Sequence, residues 1–293
     1  MCKGCDSVTD RKELSRELQT ACQGWFEGCA CHPEPHAIQR LHHFLRHVML
    51  PTYYPPIEGY SAEDCLDEVY RILGSQIHRA LFQKCIDLDG TPETKAKAYA
   101  KADGVLQHFP ELQQMMYEDV QETYNGDPAA ASYGEILLTY PGLVALSIYR
   151  LAHVLYGLEI PLLPRMMTEY AHRLTGIDIH PGATMGRRIM IDHGTGIVVG
   201  ETAVVGNNVR IYQGVTIGAL FFPRDEAGYM IRKTKRHPTV EEGVVLYANA
   251  TVLGGDTVIG HHSVVGSNAW ITESIPPYSK VLYQSESIVH TKS

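Results

Sequence analysis

The sequence predicts an α+β protein in which an amino-terminal α-helical domain precedes a β-solenoid, and three observations point to it. Apolar residues recur every sixth position through Ile179, Met185, Ile191, Ile197, Ala203, Val209 and Val215. The column restarts after an interruption as Val240, Leu246, Val252, Val258, Val264 and Trp270. Before Gly176 the apolar residues stand instead at helical spacing. A period of six belongs to neither a helix nor a flat strand, and a β-sandwich would alternate with period two.

Taken in order, a helical pattern runs from about Asp10 to Met49, with Leu14, Leu18 and Cys22 on one face and Ile38, Leu41, Phe44, Leu45 and Val48 on another. Pro51, Pro55 and Pro56 end it. A second helix is predicted from an N-cap at Ser61 to about Cys85, through Cys65, Val69, Ile72, Leu73 and Ile77. Residues 92 to 124 read as two helices broken near Pro110, and Asn125-Gly126-Asp127-Pro128 as a turn. Two further helices follow, Gly142 to Tyr156 and Leu163 to Leu174, and Gly176 closes the helical part.

In a solenoid each hexad is a short strand and a turn, with an apolar side chain pointing inward and three hexads to a coil; a coil is stable only when stacked. The position four residues after the column is small or polar, as at Ala183, Thr195, Ala250 and Ser274, which suits a corner. Val215 and Val240 lie twenty-five residues apart where a repeat would use six, and an excursion this long inside a compact array marks function. The expected organisation is a helical domain over 1–175, a solenoid over 176–276 carrying a loop at 220–238, and a tail over 277–293.

The chain is 44% hydrophobic and 20% charged, in the range of soluble globular proteins. No apolar run approaches the ~18 residues of a membrane span, and the polar start MCKGCDSVTDRKEL does not read as a signal peptide, so a cytoplasmic location is expected. A net charge of -8 argues against a general nucleic-acid binder. The balance reverses between Phe221 and Pro238, where Arg224, Arg232, Lys233, Lys235 and Arg236 outnumber Asp225 and Glu226 and would suit a polyanionic small ligand. All seven cysteines precede residue 86, and an odd number in such a chain reads as reduced thiols. Cys2-Lys-Gly-Cys5 and Cys29-Ala-Cys31-His32 invite a zinc reading, but the second pair has a one-residue gap and the first stands at the chain terminus.

Several stretches resemble the serine O-acetyltransferases of the hexapeptide-repeat acyltransferase family: Asp178-Ile-His180-Pro, Ile191-Asp192-His193, Gly196-Ile-Val-Val-Gly-Glu201-Thr-Ala and Arg236-His237-Pro238. The resemblance covers the solenoid and reaches back to Asp127-Pro128, about half the chain. The first 120 residues share only the helical character of the family's amino-terminal domain. It implies a left-handed parallel β-helix, trimers formed by the solenoids, and helices that join trimers into hexamers. Two departures stand out: the 220–238 loop is longer than in common bacterial members, and Tyr283-Gln284-Ser285-Glu286-Ser287 stands where many relatives have a Gly-x-Pro-Ala turn near the coenzyme.

Acetyl transfer from a thioester to a hydroxyl needs a base, since an alcohol is a poor nucleophile at neutral pH. Histidine suits that task, and His193 sits in a Gly-rich turn beside Asp192, a poor place for a core histidine. The resemblance makes Asp178 its orienting carboxylate. It also assigns Asp127 and Asp192 to the ammonium of serine, Arg236 to its carboxylate, His237 to the reacting region, and backbone groups at Ala219 and Ala248 to the pantetheine arm of acetyl-CoA. Arg232, Lys233 and Lys235 are expected near coenzyme phosphates; Glu201 matches the motif with a role that could be structural. No metal is expected, and no serine, cysteine or lysine in the motif offers a nucleophile, so transfer would be direct. Two other readings stay open at this point. One is a zinc hydratase using His180, His193 and His261 or His262. The other is a scaffold whose tail docks a downstream enzyme, O-acetylserine sulfhydrylase.

Overall fold

The computed structural model describes residues 10–21, 32–55, 57–81, 91–232 and 234–284. Among them are eight helices: α1 (Arg11–Ala21), α2 (Pro35–Met49), α3 (Ala62–Leu81), α4 (Pro92–Leu106), α5 (Phe109–Gly126), α6 (Tyr133–Thr139), α7 (Pro141–Gly157) and α8 (Leu163–Thr175). The first predicted helix is two, α1 and α2, with Leu14 and Leu18 of α1 exposed rather than packed. The break expected at Pro110 falls at Gln107 and His108. Pro110 sits in the first turn of α5, where a missing N–H costs nothing because that turn has no acceptors for it. The sequence pattern missed α6, whose cap Ser132 accepts the Glu135 N–H at 3.1 Å. Ser61 does cap α3: its hydroxyl accepts the Asp64 N–H at 3.1 Å and the Asp64 carboxylate returns the bond.

Fourteen short parallel strands follow, arranged in three sheets. Sheet A holds β1 (Asp178–Ile179), β4 (Val198–Val199), β7 (Thr216–Gly218), β10 (Thr251–Leu253) and β13 (Trp270–Ile271). Sheet B holds β2 (Thr184–Met185), β5 (Val204–Val205), β8 (Thr239–Val240) and β11 (Val258–Ile259). Sheet C holds β3 (Met190–Asp192), β6 (Arg210–Tyr212), β9 (Val245–Leu246), β12 (Val264–Val265) and β14 (Lys280–Val281). The chain visits A, B and C in turn, so each circuit is one coil.

The register corrects the hexad column in two places. Asp178 pairs with Val198, twenty residues on, whereas Val198 pairs with Thr216, eighteen on. Two extra residues therefore lie between β3 and β4, at His193 and Gly194, which both have positive φ, +56° and +87°. The column looked unbroken because each hexad has two inward positions: Ile177 and Ile179 are both buried, as are Ile197 and Val199. After the insertion the column passes from one position to the other. The second slip is one residue near Gly254, whose φ is +105°: Val240 pairs with Ile259, nineteen residues on. Ile259 and Val265 point inward, while Val258, Val264 and Trp270 face out, Trp270 with 67% of its surface exposed.

The solenoid does not stand alone on its core. Ala145, Leu146 and Tyr149 of α7 join Ile177, Met185 and Ile191 in one apolar cluster, so α7 closes the first coil from below. Gly142 makes the approach possible, since a Cβ there would lie 2.6 Å from the Ile191 carbonyl oxygen. A second, separate core binds α2, α3, α4, α7 and α8 through Leu41, Leu73, Ile77, Ala98, Leu155 and Leu163. The two parts are pinned by a buried ion pair. Asp119 on α5 is fully buried and Arg150 on α7 is 3% exposed; Arg150 Nη2 donates to Asp119 Oδ2 at 2.7 Å and to the Gly186 carbonyl at 3.1 Å, and the Ile189 N–H donates to Asp119 Oδ1 at 2.9 Å. No single described helix is long and apolar enough to cross a membrane.

Two outcomes are expected in urea unfolding. Ile259→Ala should lose about 2–5 kcal/mol, the usual cost of emptying a core site, while Val258→Ala, one residue away on the outer face, should lose less than about 1 kcal/mol. Equal losses would contradict the register. Asp119→Ala should cost about 3–5 kcal/mol because it leaves the Arg150 guanidinium buried without its partner.

Candidate active site

Polar side chains gather at two corners of the solenoid, one at each end of the strands of sheet A. At the corner between sheets C and A, the two-residue insertion lifts His193 off the coil, and its side chain is 73% exposed. Gly194 lies directly over Ile177, where any Cβ would meet the Ile177 Cδ1 at 2.5 Å, so glycine is required after the histidine. Asp192 Oδ1 is 3.7 Å from His193 Nε2. Asp127, the C-cap of α5, faces the same corner: its Oδ1 accepts the Ala129 N–H at 2.8 Å and its Oδ2 accepts the Tyr140 hydroxyl at 2.6 Å. Those two bonds, with a smaller contribution from His193, hold the Asp127 carboxyl below its ordinary range. The same hydrogen bond pushes the Tyr140 hydroxyl up to about 12. Tyr212 pairs in register above Asp192 and stacks on Tyr247 with ring centres 5.0 Å apart.

The corner between sheets A and B carries the second group. Arg236 Nη2 donates to Glu201 Oε2, and Glu201 Oε1 accepts the Tyr156 hydroxyl at 2.9 Å. Burial alone would raise the Glu201 carboxyl, but Arg236 and Tyr156 hold it below its ordinary value. Glu201 thus orients the guanidinium. Thr202 Oγ1 accepts the N–H groups of Arg236 and His237 at 3.0 and 3.1 Å, and its own N–H donates to His237 Nδ1 at 3.1 Å. With Nδ1 accepting, the imidazole is neutral and carries its proton on Nε2. His237 is buried over Gly200, and that burial, reinforced by Arg236, lowers its pKa to about 4.

Within one chain the two groups stay apart. Between Ile197 and Glu201 the backbone runs through β4, and four extended residues span about 13 Å at ~3.3 Å each. The fold brings together Asp127, Asp192 and His193, and separately Glu201, Arg236 and His237. Asp178 joins neither: it begins β1, next to the Ile177 beneath the His193 turn, and its Oδ1 accepts from Arg165 Nη1 at 3.3 Å. Glu169, His172 and Asp178 place ligand atoms within 4.8 Å of one another, but Arg165 already pairs with both carboxylates. The histidines of the hydratase reading stand at three different corners: His180 after β1, His193 after β3, and His261 and His262 after β11.

The excursion forms a small antiparallel hairpin through Arg224 and Met230 that exposes Phe221, Phe222, Tyr229, Met230 and Ile231. A cleft of about 480 Å³ lies beneath it, lined by Glu201, Phe222, Met230, Ile231, Arg232 and Arg236. Lys235 turns away from that cleft, its ammonium donating to the carbonyls of Thr202 and Pro238. Ala219 follows β7 at the second corner and Ala248 precedes β10 at the first, so the two expected coenzyme positions flank sheet A. Lys233, Cys2, Cys5, Cys22, Cys29, Cys31, Cys85 and Ser285 onward lie outside the described residues. Sequence reading missed Tyr140, Tyr156 and Thr202, whose partners lie 13, 45 and 35 residues away in the chain.

No family model matches the chain. It is 45% identical over 255 residues to a plasmid-encoded serine acetyltransferase of Synechococcus elongatus, covering 83% of this chain and 79% of that one. It is 43% identical over 168 residues to a serine acetyltransferase of Bacillus subtilis, over 57% and 73% of the two chains. Its fold matches serine acetyltransferase isoform 3 of Entamoeba histolytica, solved with cysteine, at a TM-score of 0.72 and 32% identity over 87% and 84% of the chains. The Neisseria gonorrhoeae serine acetyltransferase, solved with serine, matches at 0.56 and 27% identity over 83% and 95%. Fold and relatives together define an acyltransferase built on a hexapeptide-repeat solenoid. More narrowly, the chain belongs to the serine acetyltransferase family.

The neutral state of His237 has a pH signature. A histidine whose folded pKa is lowered is protonated more readily when unfolded, so its contribution to stability is complete above about pH 6.5 and is lost as pH falls toward about 4. His42, lowered to about 4 mainly by burial, acts in the same window. Unfolding free energy should decline between those pH values, and less steeply in His237→Gln; identical slopes would contradict the assignment.

Proposed function

We propose that this chain transfers the acetyl group of acetyl-CoA to the hydroxyl of L-serine, giving O-acetyl-L-serine and free coenzyme A. The observation that best supports the reading is the raised imidazole of His193 with Asp127 and Asp192 beside it, in a chain of this family. His193 takes the proton of the serine hydroxyl as that oxygen attacks the thioester carbonyl. The tetrahedral adduct then collapses, the C–S bond breaks, and the thiolate leaves with the proton that His193 held. Asp178 is the carboxylate toward which the exposed imidazole turns as it becomes charged. The ammonium of serine sits against Asp127 and Asp192; its carboxylate pairs with Arg236, whose planar fork fits it in a bidentate manner.

The separation of the two corners supports a site shared between copies, with the His193 corner of one chain facing the Arg236 corner of the next. A homotrimer arranges this by symmetry, and the helices would join two trimers into a hexamer. The helical domain (1–175) then serves assembly, the solenoid (176–276) catalysis, and the 220–238 loop covers the coenzyme. Arg232, which lines the cleft under the hairpin, would pair with a coenzyme phosphate, and backbone groups at Ala219 and Ala248 would meet the pantetheine arm. The protein works in the cytoplasm in this reading, needs no metal, and keeps its 277–293 tail for the sulfhydrylase that consumes its product.

Thiol release from acetyl-CoA, followed with L-serine, L-homoserine, sugars and aminoglycosides, tests the acceptor. His193→Ala should lose roughly 10²–10⁴ in kcat, and Asp178→Asn less. Arg236→Ala should raise KM for serine. Co-refolding equal amounts of His193→Ala and Arg236→Ala should restore about a quarter of wild-type activity, the share of interfaces with two intact halves in a mixed symmetric ring. No recovery would show that the site is not shared between copies.

A further inference from the structure

Tyr140 occupies a fixed place between two helices. It is at once the residue that ends α6 and the one that precedes α7, with φ −79° and ψ 120°, and Pro141 after it disfavours any helical alternative. Its hydroxyl reaches Asp127 Oδ2 at 2.6 Å, while the other oxygen of Asp127 is taken by the Ala129 N–H at 2.8 Å. The carboxylate is therefore held from both sides, with its plane set by one bond from each flank. A carboxylate has about four acceptor positions, so two remain for a ligand. Asp192 stands close by and adds like charge at the same corner. The Tyr140 hydroxyl donates to Asp127 Oδ2 and so favours the ionised form of that carboxyl.

We propose that Tyr140 is a positioning residue for the acceptor's ammonium: its hydroxyl fixes Asp127 as an anion beside Asp192, and this pair separates amino-acid acceptors from hydroxy acids that lack the ammonium. The inference rests on the reading that the site takes serine. Tyr140 touches no reacting atom in this scheme and acts only through Asp127. Substitution by phenylalanine removes one oxygen and leaves the ring, the cap and Pro141 in place.

The test compares kcat and KM for L-serine and for 3-hydroxypropanoate, which keeps the hydroxyl and carboxylate but has no ammonium. Tyr140→Phe should raise KM for serine about tenfold, the effect of one hydrogen bond to a charged group, with kcat within about twofold. KM for acetyl-CoA and the thermal midpoint should hold. The preference for serine over 3-hydroxypropanoate should narrow by the same factor. In an Asp127→Asn background the tyrosine substitution should have no further effect, since a residue acting through another couples fully to it. An unchanged serine preference, an undiminished effect in the Asp127→Asn background, or a uniform loss on both acceptors with a lower midpoint would each overturn the role. Wild-type enzyme that releases no thiol with serine would instead overturn the reading of the site, and this inference with it.

Discussion

The buried pair of Asp119 and Arg150 is the constraint on which the site depends. Asp127 arrives on the end of α5, and His193 on a turn of the first coil, so their relation is only as good as the contact between helix and solenoid. Asp119 makes that contact by taking the Ile189 N–H, three residues before Asp192, together with the guanidinium that also holds the Gly186 carbonyl. Two partly buried pairs extend the line of contact along the same helix: Glu118 with Arg187 at 2.7 Å on the first coil and Glu122 with Arg210 at 2.8 Å on the second. Residues 118 and 122 share a face of α5, one turn apart. The helix is thereby registered to two successive coils. From Asp119 to Asp127 is little more than two turns, about 12 Å at 1.5 Å per residue, a short lever with little play.

The solenoid was legible in the sequence because its inward positions are apolar almost without exception. Its phase was not, for a related reason. Two positions per hexad are inward, so a column that slips by two residues at His193 still lands on Ile197, Ala203 and Val209, all buried. The slip of one near Gly254 was hidden differently: Val258 and Val264 lie outward beside buried Ile259 and Val265, and a strand of paired β-branched residues looks apolar in either phase. Length mismatch between coils, not hydropathy, carries the information.

Of the site, the residues within a local motif were readable and those that join segments were not. His193 and Asp192 announce themselves by a turn that no core histidine would choose. Thr202 and Tyr156 do not, since a threonine after a glutamate and a tyrosine near a helix end are ordinary until Arg236 is brought to them by a hairpin more than thirty residues further on. Asp178 shows the opposite limit. The motif makes it the partner of His193, whereas in the structure its carboxylate is engaged by Arg165 from α8, a residue outside every repeat. The polar side chains gather on corners, which make few ladder bonds, while the sheets between them carry the parallel pairing. That division lets a small hairpin enter between β7 and β8 without disturbing the pairing of Thr216 with Thr251.

A stack of parallel strands has two open edges, and unpaired edges invite other chains to add to them. Here the lower edge meets α7, whose Gly142 lies against Ile191. Among the described residues no helix covers the upper edge, and Trp270, Tyr278 and Leu282 leave apolar surface around it. What blunts it is backbone chemistry. Ile275 makes a single bridge to Ile259, and Pro276 and Pro277 then cross so close to Gly260 that a side chain there would not fit, presenting no N–H groups to a newcomer. Lys280 on the last strand adds a charge. Sheet B is thus closed at its upper edge by a segment of the same chain, one that offers two prolines where an added strand would need N–H groups.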